Sequence, residues 1–235
     1  MMKMQHNNEY AIKAAIELVI RTLNCESAKV KSLLRDIFDD IKDPYSSLVL
    51  AFLLQRTHPL RCREVFKRFL EQFKTIDDLC EASHETLEDA LRSLGLQKER
   101  AKRLKIVASY IRKKYQGTVP KNKTDLLSIP YVGEYVASVI LSRAFDLPVI
   151  VRDENVLRVL SRIAGKELPR QKTFDLLEMY VRPKDKRRFS LFLIHIGVFY
   201  CKSQPKCGHC PLKITCKYHL ESKANGRVET QRYKK

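Results

Sequence analysis

Four cysteines stand within sixteen residues near the C-terminus: Cys201, Cys207, Cys210 and Cys216, in the run CKSQPKCGHCPLKITC. Four soft thiolates that close in sequence can wrap one metal centre, and the spacing C-x5-C-x2-C-x5-C separates two kinds of centre. Structural zinc sites usually take their ligands from two tight C-x2-C hairpins. Here a single C-x2-C is flanked on both sides by five-residue gaps, a pattern suited to a larger object held along one wrapping loop, such as a [4Fe–4S] cluster. A zinc knob and a set of unrelated buried thiols are the plainer alternatives.

The chain has 235 residues, enough for one large domain or two smaller ones. Lys and Arg total 45 against 27 Asp and Glu, a formal charge of 45 − 27 = +18. That excess goes beyond what solubility requires and points to a polyanionic partner whose affinity falls as salt rises. The opening MMKMQHNNEY has no apolar core of a secretory signal, and no apolar run is long enough to span a bilayer. Cys25, Cys62 and Cys80 are scattered through helical patterns and are expected to be buried thiols rather than disulfides. Together these features predict an intracellular, cytoplasmic protein in a reducing compartment, with no membrane association.

Nearly every periodic stretch reads as helix. Tyr10, Ile12, Ala15, Ile16, Val19, Ile20 and Leu23 recur at helical spacing. Further helices are predicted over 28–38 (capped by Ser27), 46–55, 63–73, 98–115, 124–128, 136–145, 154–163, 173–180 and 186–200, with Gly95 closing another as a C-cap. The run SSLVLAFLLQ is apolar on all sides and must be buried. No alternating strand pattern exceeds about five residues. The polar, basic stretch 221–235 is expected to be a disordered tail.

In IPYVGEYVA a tight turn places Gly133 directly before a new helix. The first N–H groups of a helix have no partner within it, and the dipole favours an anion in front of them. Twenty residues later comes VRDENV, with Asp153, and then a helix. Hairpin, acid and cysteine loop, in this order, resemble the endonuclease III superfamily of helix–hairpin–helix DNA glycosylases over about residues 40 to 218. The family's hairpin reads L-P-G-V-G-x-x-T-A and its acid lies in V-D-x-N/H. This chain departs at Tyr131, where the family usually has the first glycine, and in its first cysteine gap, five residues where six is common.

The resemblance implies an all-α, two-lobed fold with a [4Fe–4S] cluster on Cys201, Cys207, Cys210 and Cys216. One lobe is expected over 40–146, the other from 1–39 plus 147–220, with a cleft between them carrying Tyr135 and Asp153 on opposite walls. It also implies the chemistry. Breaking a base–sugar bond builds positive charge on the sugar, which a fixed carboxylate stabilises while directing water. Asp153 matches that position, although an acid before a helix is also an ordinary N-cap. Bifunctional members carry a lysine two residues after the second hairpin glycine, whose amine forms an imine. Tyr135 stands there instead, as in the G·T/G·U mismatch thymine-DNA glycosylases, and a phenol cannot form an imine.

By the same resemblance Gln55 and Arg56 enter the gap left by an extruded nucleotide, and Leu96 is the wedge. Tyr131, Val132, Gly133 and Glu134 form the DNA-gripping turn. Ala51 occupies the position where adenine-excising members and mismatch thymine glycosylases can carry a glutamate, which disfavours adenine as leaving group and also weakens identity with the thymine glycosylases. Lys98, Arg100, Lys102, Arg103 and Lys105 are expected to hold phosphates at least in part. The reading is a monomeric, monofunctional glycosylase acting on double-stranded DNA with a lesion or mismatch. A bifunctional lyase for oxidised pyrimidines and a non-catalytic DNA-binding protein are the rivals.

Overall fold

The computed structural model describes residues 2–25, 27–36 and 38–224, and among them every regular element is helical. The chain divides into two compact units, Asp36–Arg152 and a second built from Met1–Arg35 with Asp153–Lys235. No helix among the described residues is long and apolar enough to cross a membrane.

The 36–152 unit is arranged around α3 (Pro44–Leu54), whose residues from Ser46 to Leu53 are all buried. A helix apolar on every side is stable only when surrounded. Asp43 starts it by accepting the Ser46 N–H at 2.8 Å, with Pro44 in the first turn where its missing N–H is not needed. Against it pack α4 (Pro59–Gln72), α7 (Gln97–Tyr115) and α9 (Glu134–Ala144), while α5 (Ile76–Glu81) and α6 (His84–Leu91) pack on α7 and α8 (Lys123–Ser128) on α9. The sequence reading has no counterpart for α5. Its start is marked by a capping box in which Thr75 and Asp78 satisfy each other's backbone N–H. Near the start of this unit, Arg143 pairs with Asp36 at 2.6 Å and also donates to the Phe38 carbonyl.

In the other unit α1 (Met2–Asn24) buries Ile12, Ala15, Ile16, Val19 and Leu23 along one face. It packs against α10 (Glu154–Ala164), α11 (Arg170–Tyr180) and α12 (Lys186–His195), around Phe174, Phe189 and Phe192. The short α2 (Ala28–Leu33) starts at Ser27, which accepts the Val30 N–H, but it stops five residues before the predicted end. The Asp36 carboxylate takes the Phe38 N–H instead, a local bond that competes with continued helix. Residues 221–224, expected in a disordered tail, belong instead to α13 (Lys217–Ala224), and the rest of that stretch, 225–235, lies outside the described residues.

The predicted helix over 186–200 is regular only to His195, and Ile196–Tyr200 forms a π-turn. The cause lies in what faces it. Arg158 Nη2 draws the Gly197 carbonyl at 3.0 Å and Nε draws the Cys201 carbonyl at 2.9 Å, while the Cys201 N–H reaches back to Ile196 O at 2.7 Å. Such bulges inside helices recur at functional places. Gly197 permits the approach, since a Cβ there would sit 2.4 Å from Asn155 Cβ. Gly197→Ala is therefore expected to cost about 1–3 kcal/mol as overpacking, read as a lower thermal midpoint.

Candidate active site

Asp153 is the N-cap of α10 and is only partly exposed. Its Oδ1 accepts the Asn155 N–H at 2.6 Å and the Asn155 side-chain Nδ2 at 2.7 Å. Oδ2 takes no hydrogen bond among the described residues and is not sealed from solvent. One oxygen is thus anchored and the other presented. Asn155 is held in turn by Arg158 Nη2 on its Oδ1, and Arg158 is fixed by the Gly197 and Cys201 carbonyls. Burial pushes the Asp153 carboxyl above the ordinary aspartate value, opposed first by the two Asn155 donors and then by the charges of Arg158 and Arg170. Asn155 and Arg158 are three apart on one helix, a spacing that brings their side chains together.

The hairpin lies in the other unit. Tyr131 adopts a left-handed backbone, φ 63°, where glycine is the usual residue. Its exposed ring is covered on one face by the Arg103 guanidinium, 5.4 Å from the centroid, and Arg103 also bonds Glu99 at 2.7 Å. Val132 is buried and its N–H goes to Ile129 O, so it shapes the turn rather than offering a donor. Gly133 is extended and starts α9 without a side-chain cap, and a Cβ there would meet nothing within 4 Å. The surface before this helix start is open. Glu134 is taken up in ion pairs with Lys123 at 3.0 Å and Arg152 at 3.3 Å. Its carboxylate is shielded where a phosphate would otherwise be repelled.

Tyr135 is half-buried in the first turn of α9, and its carbonyl accepts the Ser138 hydroxyl at 2.9 Å. Ser138 Oγ in turn accepts the Arg152 N–H at 3.0 Å. The residue immediately before Asp153 is thereby pinned to the helix that carries Tyr135. Ser138 does not stand out in the sequence.

Gln55 closes α3 and Arg56 follows in left-handed conformation, φ 55°, exposed. Leu96 is also left-handed, φ 54°, and 59% exposed, an unusual state for a large apolar residue. Ala51 is fully buried in α3. Two of the predicted phosphate contacts are corrected. Arg100 is buried and Lys105 bonds the carbonyls of Cys80 and Ala82, so both tie up helix ends instead.

Cys201, Cys207, Cys210 and Cys216 line one small cavity together with Arg162, Tyr200 and Tyr218. Arg162 Nη1 donates to Cys201 Sγ at 3.2 Å. No three of the described His, Cys, Asp or Glu residues stand close enough to hold a single metal ion. Burial raises the Cys210 thiol to about 11, and the other three sulfurs push the same way. Of the scattered cysteines, Cys62 and Cys80 are buried as expected, whereas Cys25 is exposed, and all are free.

Residues 49–183 match the family described as "HhH-GPD superfamily base excision DNA repair protein". The thymine-DNA glycosylase of Aeropyrum pernix is 30% identical over 186 residues, covering 75% of this chain and 83% of that protein. Endonuclease III of Bacillus subtilis is 28% identical over 191 residues, covering 80% and 87%. The solved structure of a thermostable thymine-DNA glycosylase superposes with a TM-score of 0.74 at 25% identity, over 90% of this chain and 98% of the other.

If Asp153 acts ionised, excision falls as pH drops through its raised pKa, with an acid limb above the ordinary aspartate value. Asn155→Ala removes the side-chain donor to the charged form and keeps the backbone one, so the limb should move to higher pH in a pH–rate profile. A folded pKa above the unfolded one means stability is lost as pH rises through that window. Asp153→Asn is therefore expected to be at least as stable as wild type at neutral pH, measured by thermal denaturation.

Proposed function

Because the chain belongs to the HhH-GPD superfamily of base excision DNA repair proteins, we propose that it is a monofunctional DNA glycosylase. It acts as a monomer on double-stranded DNA at the nucleoid. It extrudes a damaged or mismatched pyrimidine, uracil or thymine opposite guanine, and hydrolyses the N-glycosidic bond to leave an abasic site. The observation that carries this reading is the Asp153 carboxylate, anchored through Oδ1 by Asn155 with Oδ2 left open.

As the base departs with the bonding electrons, positive charge grows at C1′ and O4′ of the sugar. The ionised Asp153 stabilises that charge and accepts a proton from the attacking water, whose oxygen bonds to C1′. The departing pyrimidine anion then takes up a proton. A pyrimidine leaves as a stabilised anion and depends little on an acid, consistent with alanine at position 51. Tyr135 occupies the place where a lysine would attack C1′, and its phenol supplies no amine. The open helix start at Gly133 receives a backbone phosphate, with Tyr131, Val132 and Glu134 shaping and neutralising the turn. Gln55, Arg56 and Leu96 enter the duplex at the extruded nucleotide.

Cys201, Cys207, Cys210 and Cys216 would hold a [4Fe–4S] cluster. The support is an all-sulfur donor set around one cavity, with an arginine hydrogen bond to sulfur. When bound, such a cluster orders the loop and supplies no catalytic step here. Iron and sulfide should be recovered in a ratio near one with a broad brown absorbance, and zinc without iron would refute this assignment.

Duplexes carrying uracil, thymine or an oxidised pyrimidine opposite guanine, and adenine mispairs, decide the activity. Strand breaks at uracil or thymine sites are expected only after alkali. A borohydride-trapped adduct with wild-type protein would favour the lyase reading, which the likeness to endonuclease III keeps in view. Asp153→Asn is expected to slow excision by about 10²–10⁴-fold; an unchanged rate would remove Asp153 from the chemistry, and no excision by the wild type on any duplex would point to a non-catalytic DNA-binding protein. Tyr135→Lys places an amine at the sugar and is expected to produce a trappable adduct.

A further inference from the structure

Arg100 is a charged side chain almost wholly removed from water, yet no carboxylate faces it among the described residues. A buried charge without an ionic partner persists only where hydrogen bonds replace the lost water. Every Arg100 nitrogen is directed at the end of α3 or at a turn. Nη1 reaches Phe52 O at 2.8 Å and Leu53 O at 3.4 Å, at the C-terminal end of α3, where the helix dipole favours a cation. Nη2 reaches Gln55 O at 2.7 Å and Thr57 Oγ1 at 2.8 Å, one on either side of Arg56. Nε reaches Gly95 O at 3.1 Å, directly before Leu96.

Arg56 and Leu96, the residues these bonds flank, both have left-handed backbones, φ 55° and 54°. Such conformations in non-glycine residues persist where the surroundings over-determine them. The two turns come from distant parts of the sequence, and one planar fork bonds both. We propose that Arg100 is a positioning residue that locks the Gln55–Thr57 turn and the Gly95–Leu96 turn into one rigid, two-pronged element for entering a DNA duplex at an extruded nucleotide. The inference rests on the glycosylase reading above. Burial also disfavours the charged form of Arg100, so the carbonyls are what keep the guanidinium in place. A lysine could keep the charge but not the fork.

The test compares two duplexes: one with a tetrahydrofuran abasic analogue opposite guanine, and the same sequence undamaged. A 2-aminopurine beside the target reports unstacking. Arg100→Lys is expected to weaken binding to the abasic duplex by roughly tenfold, the loss of about one charge-assisted hydrogen bond. Binding to the undamaged duplex should be unchanged and the 2-aminopurine signal lost. Thr57→Val should shift both readouts in the same direction by less, and Thr57→Ser should restore them. Adding Leu96→Ala to Arg100→Lys should cost nothing further, because the wedge is already unseated.

The proposal is overturned if the folded variants keep the wild-type preference for the abasic duplex. Equal weakening on both duplexes, or multiplying losses from Leu96→Ala and Arg100→Lys, also overturns it. Where Arg100→Lys does not fold, the Thr57 pair decides. Wild-type protein with no preference for the abasic duplex overturns the glycosylase reading itself, and this inference with it, whereas wild-type preference retained by every variant overturns this inference alone.

Discussion

The anchoring of one carboxylate oxygen is the constraint on which the rest of the candidate chemistry depends. Burial pushes the Asp153 carboxyl above the ordinary aspartate value, and a protonated Asp153 can neither stabilise a cationic sugar nor accept a proton from water. The two Asn155 donors oppose that tendency and leave the second oxygen open. Arg158 holds the Asn155 amide oxygen and so orients its side-chain donor, and Arg158 is held by carbonyls at Gly197 and Cys201. The π-turn after α12 and the glycine within it follow from the same requirement, since the backbone must come close enough to meet Arg158.

Backbone carbonyls gripped by buried or half-buried guanidinium groups recur through the molecule. Arg100 joins two turns, Arg143 ties α9 to Asp36 and Phe38, Arg158 braces the acid, and Arg162 bonds the Lys202 carbonyl beside the first clustered cysteine. The +18 charge of the chain is therefore not simply an electrostatic surface for a polyanion. Part of it is internal bracing, a task for which arginine's planar fork suits better than lysine. Glu134 shows the converse, an acid at the hairpin whose charge is offset by Lys123 and Arg152 so that the helix start remains receptive to an anion.

Much of the fold was legible in the sequence. Apolar spacing located α1, α3, α7, α9 and α10, and Ser27 marked its helix start as a side-chain cap. The short α5 was missed because six residues carry too little periodicity, although its capping box stood in plain view at Thr75 and Asp78. The end of α2 and the change of winding at Ile196 were not legible, because each is set by a hydrogen bond competing with the helix rather than by propensity. Tyr131 was visible as a departure from a glycine pattern, and its positive φ and Arg103 partner required coordinates.

By itself the sequence determined the helical class, the order of hairpin, acid and cysteine loop, and the chemical types available at each: a carboxyl at 153, a phenol at 135 and four thiols from 201 to 216. These are properties of residue identity and spacing, which survive without a fold. Only the tertiary structure decided which cations are free to meet a partner and which are internal, and which oxygen of Asp153 is left open. The physical reason is that the deciding partners are mostly main-chain carbonyls and amides. Every residue carries them, so no pattern of side chains announces where they will converge.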